Sequence, residues 1–169
     1  SSSPFSWNHA LESYKVATYV TTSTRNLQRT YAKHGRGEVL DNYVPEAYLS
    51  AEKPETGAFG WAGTTKSHPN DPQVTGGMVQ KLIEEGFPFK VVGGQSTARD
   101  AFRLKQDVDS TGSVPLNIWA GAIAANMDVG LAPLAPSSFN TSKSRLKAIE
   151  MMSVGVPWVG SPREEYRRL

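Results

Sequence analysis

Short β-branched runs alternate along this chain with longer stretches of helical periodicity. The predicted strands cover residues 16–22, 38–40, 58–63, 89–94, 128–134 and 157–160. The predicted helices cover residues 23–34, 74–85, 98–106, 116–126, 142–152 and 162–169, and a further helical stretch starts at Asn8. Strands that alternate with helices in this way pair in parallel, because the helix carries the chain back across the sheet. The pattern therefore predicts an α/β fold with a parallel sheet.

Local signals set several boundaries within this pattern. Ser23 is expected to cap the helix at 23–34, and Gly35 ends it. Residues 58–94 read as one βαβ unit. In the helix at 116–126, the residues predicted to face inward are Ile118, Trp119, Ala122 and Ile123. The polar stretch at 50–56 contains a proline and predicts a linker or domain boundary.

Composition narrows the classes of function. Without cysteine, the chain offers no disulfide, thiolate metal site or cysteine nucleophile. Three isolated histidines argue against zinc, so no metal site is expected. A net charge of +2 without a basic run disfavours nucleic acid as a partner. No apolar run approaches the length of a membrane span, and no signal peptide is recognised. The charged C-terminal cluster, with Glu165 among its members, is expected to be a solvated helix face.

Three predicted strand exits are rich in glycine or small polar residues: 60–67, 93–97 and 134–144. The carboxyl ends of parallel strands lie at one edge of a sheet, where open α/β folds bind their ligands. These exits are therefore expected to form one cleft. Asp128 lies at the start of a strand, and it is expected to have a structural role, as a cap or as a partner of neighbouring backbone, rather than to bind a ligand. The tryptophans Trp61, Trp119 and Trp158 are expected in the core or the cleft wall.

The last of these exits carries the best candidate for an anion site. Lys143 lies between Ser142 and Ser144 at the predicted start of a helix, where backbone N–H groups and the helix dipole favour a diphosphate. Ordinary helix capping is the alternative explanation for these serines. Glu150, two turns further on, offers a carboxylate to a ribose diol, or pairs with Lys147.

The first exit offers weaker signals. Gly63 allows a ligand to approach the backbone closely, and Lys66 or His68 could meet a phosphate or a sugar hydroxyl. A single histidine in a loop is also compatible with simple solvation. The run lacks the spacing of a phosphate-binding P-loop, and Gly93 with Gly94 does not complete a dinucleotide fingerprint.

The order and spacing of these segments resemble the donor site of GT-B glycosyltransferases, closest to the large retaining group (glycosyltransferase group 1). The resemblance rests on residues 128–134, 139–140, 143–150 and 155–161. Upstream, residues 60–63 with His68 and Asp71 are similar to the glycine turn that opens the same domain. Residues 41–45 resemble the end of the family's acceptor domain.

The resemblance implies a Rossmann-like open parallel sheet with helices on both faces, corresponding to one half of a GT-B fold. Residues 1–50 would be a remnant of, or linker from, an N-terminal acceptor domain, and residues 51–169 the nucleotide-sugar-binding domain. The missing acceptor domain would be a partner within the same chain. The chain begins with serine, so we expect a piece of a longer protein that is incomplete for catalysis by itself.

The family also implies an activity: transfer of a hexose from a UDP or GDP sugar to an acceptor that the sequence does not identify. The resemblance further implies that no cofactor is needed, that the mechanism is metal-independent and that the protein is cytoplasmic. Peripheral membrane association of the full protein is compatible with these expectations. The main alternative is a non-catalytic nucleotide or nucleotide-sugar binding module of the same fold. An epimerase and a plain interaction domain are weaker alternatives.

Residue by residue, the resemblance gives a donor site but no catalytic residue. Glu150 matches the glutamate that holds the ribose, whereas Ser142 stands where the family has its other glutamate. The residues matching the diphosphate-binding segment are Lys143, Ser144, Arg145 and Leu146. The phosphate-binding basic residue corresponds to Lys66, beside Gly63 and His68, and the base would lie near Gly94.

Overall fold

The structure, a computed structural model, describes residues 7–66, 69–93 and 97–169. In these residues the strands are β1 (Val20–Thr22), β2 (Gly37–Val39), β3 (Phe59–Ala62), β4 (Phe89–Val92), β5 (Asp109–Ser110), β6 (Val129–Ala132) and β7 (Trp158–Gly160). The α-helices are α1 (Trp7–Val16), α2 (Arg25–Tyr31), α3 (Met78–Glu84), α4 (Ala98–Phe102), α5 (Leu116–Asn126), α6 (Ser138–Ser142) and α7 (Leu146–Ser153). Short 3-10 helices cover Glu46–Ser50, Pro72–Thr75 and Tyr166–Arg168.

The chain divides into two compact units. The minor unit contains the chain up to Asn42 together with Ser137–Ser144, and the major unit contains Tyr43–Pro136 and Arg145–Leu169. The chain thus leaves the major unit once and returns to it. The assignment of residues 1–50 and 51–169 to acceptor and donor domains stays a prediction.

The minor unit is built on a small parallel pair of strands. In this unit β1 and β2 pair in parallel, with Val20 opposite Gly37, and α2 connects them. Thr24, not the predicted Ser23, caps α2, because its hydroxyl accepts from the Leu27 N–H at 3.2 Å. The Thr24 hydroxyl also donates to the Ser142 carbonyl at 3.0 Å, which ties α6 to the start of α2.

The major unit holds a Rossmann-like parallel sheet in the order β5-β4-β3-β6-β7. All neighbouring strands in it are parallel, which confirms the predicted α/β class and the βαβ unit formed by β3, α3 and β4. Successive side chains of a strand point to opposite faces. In β3, Trp61 accordingly joins a core with residues of α3 and α4, and Ala62 joins one with residues of α5 and α7.

Helices therefore cover both faces of the sheet, as predicted. The α3/α4 face carries an aromatic cluster in which Phe102 meets Trp61 edge-on at 5.7 Å and Phe89 at 5.0 Å between ring centroids. The α5/α7 face carries smaller side chains, and Ile123 is fully buried there. Ile118, predicted to face inward, is instead 55% exposed.

Residues with positive φ split one predicted helix and end another early. The helix expected over 74–85 is a 3-10 turn over Pro72–Thr75 followed by α3, because Gly76 and Gly77 both adopt positive φ between the two. The helix expected over 98–106 stops at Phe102, where Arg103 adopts a left-handed conformation with φ of 55°. Positive φ is incompatible with a continuing right-handed helix.

The two C-terminal helix predictions also need correction. The single helix expected over 142–152 is two helices, since α6 ends at Ser142 and α7 starts at Leu146. The helix expected over 162–169 is only the 3-10 turn Tyr166–Arg168. Glu165, expected on a solvated face, is buried beside Arg168, with Oε2 2.9 Å from the guanidinium.

Candidate functional site

The direction of the strand order reverses beside β3. From β3 the chain builds outward through β4 to β5, and it then returns to place β6 on the other side of β3. Adjacent crossovers that leave in opposite directions open a crevice at the carboxyl ends of the strands, where α/β folds bind ligands. The crevice here lies beyond Ala62 and Ala132, the last residues of β3 and β6. Within the major unit, α7 is the helix that follows β6, and it begins at this edge.

Gly63 forms the turn that leaves β3. Its φ of +135° lies in the region that favours glycine, and its N–H donates to the Val92 carbonyl at 2.8 Å. A Cβ at this position would lie 2.9 Å from the Lys147 ammonium. The backbone at Gly63 is therefore close to a cation, as a phosphate site requires.

Lys147 is the cation that the structure adds to the predicted set. Its ammonium donates to the Ala62 carbonyl and lies 4.1 Å from the centroid of the Trp61 ring. Trp61 is 1% exposed, and among the described residues its indole N–H has no hydrogen-bond partner. From the sequence, Lys147 was expected only as a partner for Glu150, and its position three residues before Glu150 was the available signal.

Glu150 lies one turn further along α7 and is half-buried. Burial raises the pKa of its carboxyl, while a hydrogen bond from Trp119 and the charge of Lys147 act in the opposite direction. Trp119 packs against the strand exit as well, since a Cβ on Gly93 would lie 2.8 Å from its ring. The carboxylate is thus held near the carboxyl ends of β3 and β4.

The start of α7 carries two further predicted residues. Arg145 is the N-cap residue and Leu146 the first residue of the helix. An arginine side chain has no acceptor, so it cannot cap the helix N–H groups as Thr24 and Ser137 cap α2 and α6. The Arg145 guanidinium instead lies 3.5 Å from the Glu165 carboxylate. The Arg145 carbonyl accepts from the N–H groups of Ala148 and Ile149 at 3.0 and 3.1 Å, which begins the hydrogen bonding of α7.

Loops at this edge are fixed by buried polar side chains that the sequence did not single out for this purpose. Asp71 is buried and accepts from the Ala135 N–H at 2.9 Å, which joins the loop after β3 to the loop after β6. Thr65 is also buried, and its hydroxyl lies 2.7 Å from that of Thr97, which joins the loops after β3 and β4. The crevice is therefore lined by braced loops.

The predicted residues divide between the two units. Gly63, Arg145, Leu146 and Glu150 lie together in the major unit, with Lys66 exposed in the loop after Gly63. Lys143 and Ser144 belong to the minor unit. His68 and Gly94 lie outside the described residues.

The placement predicted for Lys143 at a helix start is wrong. Lys143 is the C-cap residue of α6, and its ammonium lies 5.2 Å from the Phe139 ring. The helix that should begin at Ser142 is interrupted because Ser142 is tied to the minor unit, where its hydroxyl accepts from the Asn26 amide at 2.6 Å.

Lys143 and Ser144 nevertheless line a cavity within the minor unit. The cavity has a volume of about 710 Å³ and lies between α2 and α6. Its other lining residues are Ser23, Asn26, Leu27, Thr30, Tyr31, Ser138, Phe139, Thr141 and Ser142.

Asp128 has the structural role that was predicted for it. Its carboxylate accepts from the N–H groups of Thr56 and Gly57 at 2.9 and 2.6 Å and pairs with Lys53 at 2.7 Å. The bond from Lys53, followed by the backbone bonds, lowers the pKa of Asp128 to about 2. It lies before β6, at the sheet edge opposite the crevice.

In the described residues, no helix is long and apolar enough to cross a membrane, and no three acidic or histidine side chains gather as metal ligands. No protein-family model matches the sequence, and no curated protein matches it. The resemblance to GT-B glycosyltransferases therefore stays a prediction that rests on the residues quoted for it.

Proposed function

We propose that the major unit is the donor-binding domain of a GT-B type glycosyltransferase and binds a nucleoside diphosphate sugar. One observation carries the proposal: the crevice where the strand order reverses brings together Gly63, Lys147, the start of α7 and Glu150. These groups supply close backbone approach, positive charge and a carboxylate at one sheet edge. A diphosphate attached to a ribose has complementary chemistry.

In this proposal the diphosphate lies at the start of α7. The N–H groups of Arg145 and Leu146 and the positive end of the helix dipole face it. Glu150 accepts two hydrogen bonds from the ribose hydroxyls. In sugar transfer the leaving diphosphate gains negative charge, and the same groups stabilise it electrostatically, as preorganised donors do in other enzymes.

Calorimetry with UDP, GDP and ADP tests the proposal on the 169-residue chain. At least one of these nucleotides should bind, with an affinity that falls as salt rises, because charge dominates the contact. Replacement of exposed Lys81 on α3 by Ala provides a matched loss of one cation and should leave the affinity unchanged. Failure of all three nucleotides to bind would contradict the proposal.

The second candidate is a binding module of the same fold that does not transfer sugar. Ser142 favours it, since this position carries a glutamate in the family, and here its hydroxyl is engaged by Asn26 and donates to the Ser138 carbonyl at 3.1 Å. Because the 169-residue chain is expected to be incomplete for catalysis by itself, incubation of the full-length protein with UDP-glucose or GDP-mannose distinguishes the two candidates. Release of free nucleoside diphosphate supports the transferase, and binding without release supports the module.

A further inference from the structure

We infer that Lys147 and the indole N–H of Trp61 contact the diphosphate of the proposed donor, in place of Lys143 and Ser144. The inference rests on the proposed function, and it reassigns the principal cation of that site. Neither Lys147 nor Trp61 was among the residues predicted to bind the donor. Both belong to the major unit, with Gly63, Arg145 and Glu150.

The geometry at Gly63 shows where the two nitrogens converge. The point that a Cβ would occupy on Gly63 lies 2.9 Å from Lys147 Nζ and 3.6 Å from Trp61 Nε1. A side chain here would collide with the Lys147 ammonium, and glycine leaves this face of the backbone open. An oxygen in van der Waals contact with the Gly63 backbone on this side would lie next to both nitrogens.

The buried indole of Trp61 supports this assignment. Its ring is 1% exposed, and within the described ranges its N–H finds no acceptor. Buried indole N–H groups usually have a partner, because an unmade hydrogen bond in the interior is costly. A phosphate oxygen beside Gly63 would supply the missing acceptor.

The position of Lys147 on its helix gives a second reason. It is the second residue of α7, where the dipole favours negative charge and disfavours a lysine. Contact with the Trp61 ring and the Ala62 carbonyl holds the ammonium at the strand exit. An ammonium donates up to three hydrogen bonds, so the contact with Ala62 is compatible with an anion contact. A bound diphosphate would relieve the repulsion between the lysine and the helix start.

Lys143 lacks these features. It lies at the carboxyl end of α6, a helix of five residues, where the dipole favours a cation without any ligand. Its contact with the Phe139 ring, at 5.2 Å, lies within the minor unit. The two lysines therefore form a matched pair of variants with opposite expectations.

The test measures binding of pyrophosphate and of UDP, GDP and ADP to four variants. Lys147→Met and Lys147→Gln should each weaken pyrophosphate and the bound nucleotide by about tenfold or more, since a charge-assisted contact is lost. Lys147→Gln retains a donor for the Ala62 carbonyl, so it separates the charge from the packing. Lys143→Met should change neither affinity by more than about twofold, because its ammonium packs on the Phe139 ring within the minor unit. Trp61→Phe keeps an aromatic ring, smaller than the indole, but removes the N–H, and should weaken both ligands by about fivefold.

Two results would overturn the inference in distinguishable ways. Nucleotide affinity that is lost in Lys143→Met but kept in both Lys147 variants would give the principal cation contact to Lys143 and overturn the inference, while nucleotide binding itself, and with it the proposed function, would stand. A wild-type chain that binds neither pyrophosphate nor any of the three nucleotides would contradict the inference and the proposed function together. Urea unfolding of each variant shows whether a lost affinity reflects a lost fold.

Discussion

At the scale of single residues, carboxylates in this chain have opposite electrostatic environments. Asp128 is surrounded by donors from Lys53, Thr56 and Gly57, which hold the pKa of its carboxyl at about 2. Burial dominates at Glu150 and raises the pKa of that carboxyl. The donors around Asp128 stabilise its ionised form, whereas burial destabilises the ionised form of Glu150 when no ligand is bound.

Asp128→Asn should destabilise the protein at neutral pH. The folded pKa of about 2 lies below the value of about 3.9 for an unfolded aspartate, so the ionised group stabilises the fold above pH 3.9, and this contribution is lost as pH falls towards 2. Urea midpoints of the wild type and variant should therefore differ at pH 7 and converge near pH 2. A difference that stays constant down to pH 2 would show that the charge has no role.

At the scale of secondary-structure elements, the central strands depend on two glycines. Gly60 of β3 lies opposite Gly130 of β6, and both lie on the α5/α7 face of the sheet. A Cβ on Gly60 would lie 2.7 Å from the Lys90 carbonyl and 2.9 Å from Met127 Cε, and one on Gly130 would overlap the Met151 sulfur. Met127 and Met151 therefore occupy the space over the sheet that side chains at positions 60 and 130 would otherwise fill.

Gly60→Ala should destabilise the fold by about 2–3 kcal/mol, and Gly130→Ala by about 1 kcal/mol, within the range known for overpacked cores. The difference follows from the obstacles, since a backbone carbonyl in the sheet cannot move as the end of a methionine can. Urea midpoints with unchanged m-values give the comparison. Gly121→Ala, in open space on α5, is the control and should be neutral or stabilising. A larger loss for Gly130→Ala would contradict this view of the packing.

The strands of the large sheet were predictable because local information suffices for them. Buried apolar runs such as Phe89–Val92 lie between turn residues, and each run identifies its own strand. The break between α6 and α7 was not predictable, since Ser142 is tied to Thr24 and Asn26, more than 100 residues away in the chain. The helix propensity of residues 142–152 depends only on local sequence, so it cannot reveal a contact with residues so distant in the chain.

At the scale of the whole molecule, the candidate site depends on topology. Four of the residues predicted from the sequence lie together in the major unit: Gly63, Arg145, Leu146 and Glu150. The bond from Lys147 to the Ala62 carbonyl was not predictable, because 85 residues separate the partners. The order β5-β4-β3-β6-β7 brings them together, and no local pattern encodes that order.

Glu150→Gln should stabilise the free protein at neutral pH and weaken nucleotide binding. The folded pKa is raised above the value of about 4.3 for an unfolded glutamate, so ionisation of Glu150 costs stability as pH rises from 4.3 through the folded pKa. The neutral glutamine removes that cost but is a poorer acceptor for a ribose diol, and the affinity should fall by about tenfold.

Thermal unfolding of wild type and Glu150→Gln, each with and without UDP, GDP or ADP, measures both effects. The variant should unfold at a higher temperature without nucleotide and show the smaller shift with it. Glu164→Gln, the same change at an exposed glutamate of the major unit, is the control and should change neither quantity much. A variant that is less stable without ligand would contradict the dominant role of burial at Glu150.

Because residues 137–144 belong to the minor unit, they also affect the order in which the two units can fold during synthesis. The hydrogen bond between Thr24 and the Ser142 carbonyl joins residues 118 positions apart. The β1-α2-β2 segment leaves the ribosome early, but the helix that packs on it is synthesised only after most of the major unit. The minor unit can therefore be completed only after most of the major unit has been synthesised.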